Sequence, residues 1–455
     1  MPPIRTHLSE RFRWSSALPK ALLLSATLLC GVLTFPAQAE LRAGVAYTDV
    51  TPPVGTPSAG YGARAGAGME GVHDPLLATA LVIDNGEKQI ALLGVDHLGY
   101  TSQMVDAVRA LLRAEEATAD VELYLGSSHT HAGGGAFLDV PVIGAALAGR
   151  YDQEIVDFYV EQAARAVIEA AGALQPAKVG IGYGKAEGLN NYRGAWPSGV
   201  GTQEDVALIK VTTADDEPLA ALFNFAAHPT VLGANVMEFS ADFVGFARDR
   251  VAELIGGDVQ PVYFNGAQGD ISPRAPSGDD QFERAESMGR RLGEVVKEIW
   301  DATEVSTELK IATLRQPYRI LPEGTPGVMP VVAADQQSEL NLIVFNDTEA
   351  FLTVPGEMST IYDAEVKRFG GWIGYNQVSI FGLTNDAHGY IIHPEAWRHR
   401  TYESTVSFGG ELYGHRVIGM LHAMLHELEP EGAHNEDRLQ ESTMLCELGE
   451  LGGKE

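Results

Sequence analysis

Cysteine is scarce in this chain. Only Cys30 and Cys446 are present, and loss of an N-terminal segment carrying Cys30 would leave no internal disulfide. Stability then has to come from a packed core. Basic side chains are few as well: 32 Lys and Arg stand against 61 Asp and Glu, a formal net charge of −29. That balance excludes the usual nucleic-acid binders and argues against docking on an anionic membrane by charge. Beyond residue 39 no apolar run reaches the ~20 residues of a spanning helix, so no stable membrane anchor is expected there. Three common catalytic signatures are missing too. There is no Gly-x-Ser-x-Gly elbow, no Gly-x4-Gly-Lys-Ser/Thr loop and no His-Glu-x-x-His helix.

What is present begins with an export signal. Arg5, Arg11, Arg13 and Lys20 form a basic stretch, Ala21 to Phe35 an apolar one, and Ala37-Gln38-Ala39 a small-x-small cleavage site. Residues 1–39 are therefore expected to be a signal peptide, and the protein to be exported, periplasmic or secreted. Hydrophobic residues make up 45% of the chain, enough for a large core.

The apolar patterning alternates between strand and helix periods. Strands are expected at 42–49, 77–83, 89–95, 121–125, 178–184, 219–227, 261–264, 340–345, 350–354 and 378–383. Helices are expected at 102–115, 152–171, 244–254, 283–299, 359–369 and 412–425. Asn85-Gly86 marks a hairpin between the second and third strands. No sequence repeat and no low-complexity linker is visible. The expectation is an α/β fold with mixed β-sheets flanked by helices. Its domain should run over 40–426, with 427–455 an acidic, frayed tail.

The residues fit for chemistry cluster at the expected strand ends, where α/β proteins place their sites. Ser128-His129-Thr130-His131 follows an apolar strand and leads into Gly133-Gly134-Gly135. Neutral imidazole is a common zinc ligand, and the glycines are expected to form a flexible loop that lets a substrate approach the backbone. His228 ends another buried strand ahead of Pro229. Glu357 follows Pro355-Gly356, and Ser272 precedes Pro273. Taken singly, each has an ordinary structural role: a satisfied core histidine, a first-turn glutamate, a turn serine.

Taken together and in order, they resemble the neutral/alkaline non-lysosomal ceramidase family, in its N-terminal catalytic domain. The matching segments are Thr51-Pro52-Pro53-Val54-Gly55 with Ala59-Gly60-Tyr61-Gly62, then His73-Asp74-Pro75-Leu76, then Ser128-His129-Thr130-His131. Ala227-His228-Pro229-Thr230, Gly269-Asp270-Ile271-Ser272-Pro273, Pro355-Gly356-Glu357 and Gly389-Tyr390 follow in sequence. The resemblance implies a Zn2+ site of His129, His228, Glu357 and Tyr390. It places Ser272 on the catalytic serine, and His131, Arg193 and Tyr402 along the active site.

The chemistry so implied is amide hydrolysis, with a small-molecule or lipid N-acyl amide as substrate. Two imidazoles and a carboxylate are a usual catalytic zinc set, and zinc lowers the pKa of its water to about 7. His131 would serve as general base, and Arg193 and Tyr402 would stabilise an oxyanion or hold a hydroxyl. Ser272 would be a nucleophile or a hydrogen-bonding group. Around the tyrosine the chain departs from the family, since Asp386 and His388 add titratable groups there. Two other readings use the same residues: a two-metal phosphoesterase built on Asp96, His97, His129, His131, His228 and Asp270, or an exported binding protein with a degenerate site.

Overall fold

The computed structural model describes residues 40–140, 143–194, 196, 199–320 and 337–431. The expected signal peptide and most of the expected acidic tail lie outside the described residues. Every strand and helix expected from the patterning is present, with ends displaced by a few residues. Three strands that alternation left short or unmarked are Gln175–Lys185, Asp205–Thr213 and Ile311–Arg319.

One topology occurs three times. In the first instance Arg42–Asp49, Leu77–Asp84 and Gln89–Val95 pair antiparallel in turn. Helix Ser102–Ala114 then crosses over to Glu122–Ser127, which lies parallel to the third strand, and helix Gln153–Gly172 follows. The second instance uses Gln175–Lys185, Asp205–Thr213 and Pro218–Phe225, helix Phe243–Ile255, the parallel strand Gln260–Asn265, and helix Gln281–Ala302. The third uses Ile311–Arg319, Gln337–Phe345 and Glu349–Thr353, helix Thr360–Trp372, the parallel strand Gln377–Phe381, and helix Tyr413–Glu427. We refer to these as the first, second and third repeats. They are repeats of strand order and not of sequence, which is why the chain reads as unrepeated.

The first two repeats join through their first strands, Ala43 opposite Gln175, into one eight-stranded sheet. The third keeps its own four-stranded sheet. Strand alternation sorts the side chains into two sets of cores. Leu81, Ile83, Leu92, Leu222, Phe264, Phe345, Phe351 and Phe381 share a central core between the two sheets. The opposite faces pack under each repeat's own pair of helices. Helix Gln281–Ala302 shows how such a helix is specified. Asp280 caps it by accepting from the Glu283 amide (2.9 Å), and Ala285, Met288, Leu292, Val296 and Ile299 recur on its buried face.

Candidate metal centre

In each repeat the third and fourth strands run parallel, so their carboxyl ends open on the same side. His129 follows the fourth strand of the first repeat, which ends at Ser127. His228 follows the third strand of the second repeat, which ends at Phe225. Glu357 follows the third strand of the third repeat across Pro355-Gly356. Each repeat thus contributes one residue. All three are buried, and their ligand atoms lie within 4.8 Å of one another. Such a group can hold a metal ion.

The imidazoles are aimed from behind. His129 Nδ1 donates to the Leu98 carbonyl at 2.6 Å, and His228 Nδ1 to the Ile271 carbonyl at 2.9 Å. These carbonyls assign the proton to Nδ1, so both Nε2 atoms present lone pairs. Nε2 of His228 lies 2.8 Å from Glu357 Oε2, and that of His129 3.4 Å. Burial, followed by the nearby Arg193 charge, pushes His228 down to about 4. Burial alone would raise the Glu357 carboxyl, but His129 and then His228 hold it well below the usual carboxylate range. At neutral pH His228 and Glu357 therefore meet acceptor to acceptor, an arrangement that a cation stabilises. Two imidazoles held by carbonyls, with a carboxylate, are a donor set fit for a transition-metal ion.

His129 has a left-handed backbone, φ 71°. Such a conformation costs on the order of 1–3 kcal/mol in a residue other than glycine. It is held in place by its amide, which donates to the His97 carbonyl at 2.9 Å.

Arg193 brings a fixed cation. Its NH2 lies 3.1 Å from His228 Nε2, 3.0 Å from the Tyr390 hydroxyl and 3.0 Å from the Gly269 carbonyl. Its Nε faces the buried Glu403 at 3.4 Å. Tyr390 is buried, with its hydroxyl 3.5 Å from His228 Nε2. Burial and then the Glu357 charge push this phenol well above its ordinary value, so it is neutral here. Tyr402 lies farther out, 65% exposed, with its ring 6.0 Å from that of Tyr390.

His131 packs edge-on against Tyr61 at 4.7 Å and His129 at 5.0 Å. Neither of its ring nitrogens has a hydrogen-bond partner. Burial, then His129 and His228, lower it well below the usual histidine value. Ser272 is half-buried in a three-residue ladder opposite Asn191, next to the Ile271 carbonyl that orients His228.

The glycine loop after His131 differs from expectation. Gly133, Gly134 and Gly135 are buried, and a Cβ on Gly134 would lie 2.0 Å from the Tyr159 hydroxyl. These glycines admit the protein's own tyrosine and backbone, not a substrate. The residues weighed for a second metal also point elsewhere. Asp96 binds Arg248 at 2.5 Å and the Leu77 amide at 2.9 Å, while Asp270 accepts from the Thr360 amide at 2.8 Å. Among the described residues, His129, His228 and Glu357 form the one group of three or more His, Cys, Asp or Glu arranged for an ion.

Glu403 escaped sequence reasoning, because its partner Arg193 is remote in the chain. So did an apolar cavity of about 140 Å³ that starts at His129 and Glu357. Leu98, Phe137, Leu138, Leu383, Val406 and Phe408 form much of its wall. Phe137, Leu138, Val140, Ala387 and Phe408 also line an adjoining cleft of about 700 Å³.

Residues 41–278 match the neutral/alkaline non-lysosomal ceramidases in their N-terminal domain. The chain belongs to that family. The match spans His129, His131, Arg193, His228 and Ser272, and ends before Glu357, Tyr390 and Tyr402. Solved ceramidase structures share the fold. Neutral ceramidase from Pseudomonas aeruginosa aligns with a TM-score of 0.73 at 18% identity, over 86% of this chain and 76% of that one. A ceramidase complexed with C2 gives a TM-score of 0.75 at 16% identity with the same coverage. Family and fold make this ceramidase-family protein a hydrolase. Among its described residues no helix is long and apolar enough to cross a membrane.

Proposed function

We propose that this protein is a zinc-dependent amidohydrolase that cleaves the N-acyl bond of ceramide or a related N-acyl amide to a fatty acid and an amine. The observation that carries this reading is the apolar cavity ending at the His129–His228–Glu357 group. It offers an acyl chain a dry wall and leaves the amide at the metal ligands. Family membership supports the reaction, and the pattern of residues 1–39 supports export to the periplasm or medium.

His129, His228 and Glu357 would hold the zinc, with Tyr390 as an extra, weaker ligand. Zinc bound there supplies Lewis-acid polarisation of the amide carbonyl. His131, kept neutral by the burial of its ring nitrogens, accepts a proton from the attacking hydroxyl group and returns it to the amine nitrogen as the C–N bond breaks. Its two unpartnered nitrogens leave it free for both transfers. Arg193 keeps a permanent charge within reach of the oxygen that becomes negative. Tyr402, exposed at the outer edge, holds a polar group of the substrate, and the Ser272 hydroxyl serves the reacting end, as attacking group or hydrogen-bond donor.

The test is fatty-acid release from a short-chain fluorescent ceramide by the purified protein, before and after treatment with a chelator. Release that the chelator abolishes and Zn2+ restores is the expected result. A protein that holds zinc yet leaves ceramide intact would move the substrate to other N-acyl amides. A protein that binds no zinc would overturn the metal assignment.

A further inference from the structure

The carboxyl ends of the three fourth strands meet behind the candidate metal centre in a closed ring of hydrogen bonds. Asn265, at the end of the second repeat's fourth strand, donates from its side-chain Nδ2 to the Ser128 carbonyl of the first repeat at 2.8 Å. The Asn265 carbonyl accepts from the Gly382 amide of the third repeat at 2.9 Å. The Leu383 carbonyl then accepts from the Ser127 amide at 3.2 Å, which closes the ring onto the first repeat.

Asn265 does more than complete this ring. The same Nδ2 donates to the Ala227 carbonyl at 3.0 Å, and Oδ1 accepts from the Ala227 amide at 3.3 Å and the Gly266 amide at 2.9 Å. Ser128 is the residue before His129, and Ala227 the residue before His228. One fully buried amide therefore bonds the peptide units that lead into both imidazoles. An amide is needed for this, since it presents donors and an acceptor in one plane. A carboxylate would set an oxygen against two carbonyls.

We propose that Asn265 is the positioning residue that fixes the separation of His129 and His228 and so sets the affinity of the metal centre. This rests on the reading of that centre given above. Asn265 touches neither the ligand atoms nor a substrate, so its effect passes through the two backbone segments it joins.

A nearby residue supplies the control. Asn224 is also a buried amide, and its Nδ2 donates to the Phe264 carbonyl at 2.9 Å and the Ile380 carbonyl at 3.1 Å. It ties the second repeat to the third with the same chemistry but adjoins no ligand. The experiment strips the full protein of metal and titrates Zn2+ against a chromophoric chelator, alongside thermal melts of the metal-free forms. Asn265→Ala and Asn224→Ala should both melt earlier than the parent. Only Asn265→Ala should weaken Zn2+ binding, by tenfold or more, the usual scale for groups that orient ligands.

Zn2+ affinity of Asn265→Ala within twofold of the parent would overturn the proposal, as would an equal weakening by Asn224→Ala. Should Asn265→Ala fail to fold, Asn265→Ser keeps a shorter donor, and it too should bind Zn2+ more weakly; parental affinity in that variant counts against Asn265. A parent that binds no Zn2+ refutes the metal reading itself, which separates that failure from one confined to Asn265.

Discussion

Gly60→Ala probes the role of His131 without touching a metal ligand. Gly60 has φ +98°, and a Cβ built on it lies 2.5 Å from His131 Nδ1, 2.6 Å from Cγ and 2.9 Å from Cε1. These three nearest atoms all belong to one imidazole, whose ring cannot swing clear because Tyr61 and His129 pack against it. Restoring an ordinary contact requires the ring to retreat by about 1 Å. A displacement of that size at a reacting group costs on the order of 100-fold in rate, or about 2.7 kcal/mol of transition-state stabilisation. The left-handed backbone adds about 1–2 kcal/mol of instability for an L-residue. For a domain of this length that lowers Tm by only about 1–2 °C. The assay is kcat and KM on a fluorescent ceramide, with zinc content and a melt on the same preparation. We expect kcat to fall about 100-fold while zinc content holds. A kcat within threefold of the parent would remove His131 from the reaction. Loss of zinc together with activity would refute the separation between His131 and the ligand group.

Three further outcomes are expected. His97 is buried among the rings of Tyr100, Phe137 and Tyr159, and burial lowers it to about 3. Its folded value is depressed, so the unfolded chain takes up a proton below about 6.5 that the folded chain refuses, and stability drains away as pH falls. His97→Asn should therefore gain about 2 kcal/mol on the parent between pH 7 and pH 5 in urea melts; a pH-independent difference would contradict the burial argument. Arg248→Ala leaves Asp96 buried without its partner and should cost about 3–5 kcal/mol of unfolding free energy, with zinc content unchanged. Leu138→Trp narrows the apolar cavity, and it should lower kcat/KM for a long-chain ceramide at least tenfold more than for a short acyl amide. Equal losses on both would place the chain elsewhere.

Much of this architecture is legible in the sequence because long elements carry a period. The continuous apolar run of Leu77–Asp84, buried on both faces, and the capped, amphipathic Gln281–Ala302 need nothing beyond local patterning. The positions of His129, His228 and Glu357 at strand ends are legible for the same reason. The pairing of Glu357–Met358 with Tyr390–Ile391 is not, since two residues carry no period and the partner is set by the fold. The threefold strand order is hidden because topology outlasts side-chain identity. Asn265 and Glu403 look like ordinary polar residues until Ser128 and Arg193, more than a hundred positions away, are brought beside them. Gly133 to Gly135 mislead for the opposite reason: glycine marks close approach, but not by what.

One ligand from each repeat has a consequence for how the protein matures. No single repeat, nor any two, brings His129, His228 and Glu357 together, and 228 residues separate the first from the last. A chain emerging from the ribosome, or threading through an export channel, cannot assemble the centre until its third repeat has emerged and docked. Docking of all three repeats is thereby a precondition of metal capture, and a cation held by all three residues would report that the repeats have found one another.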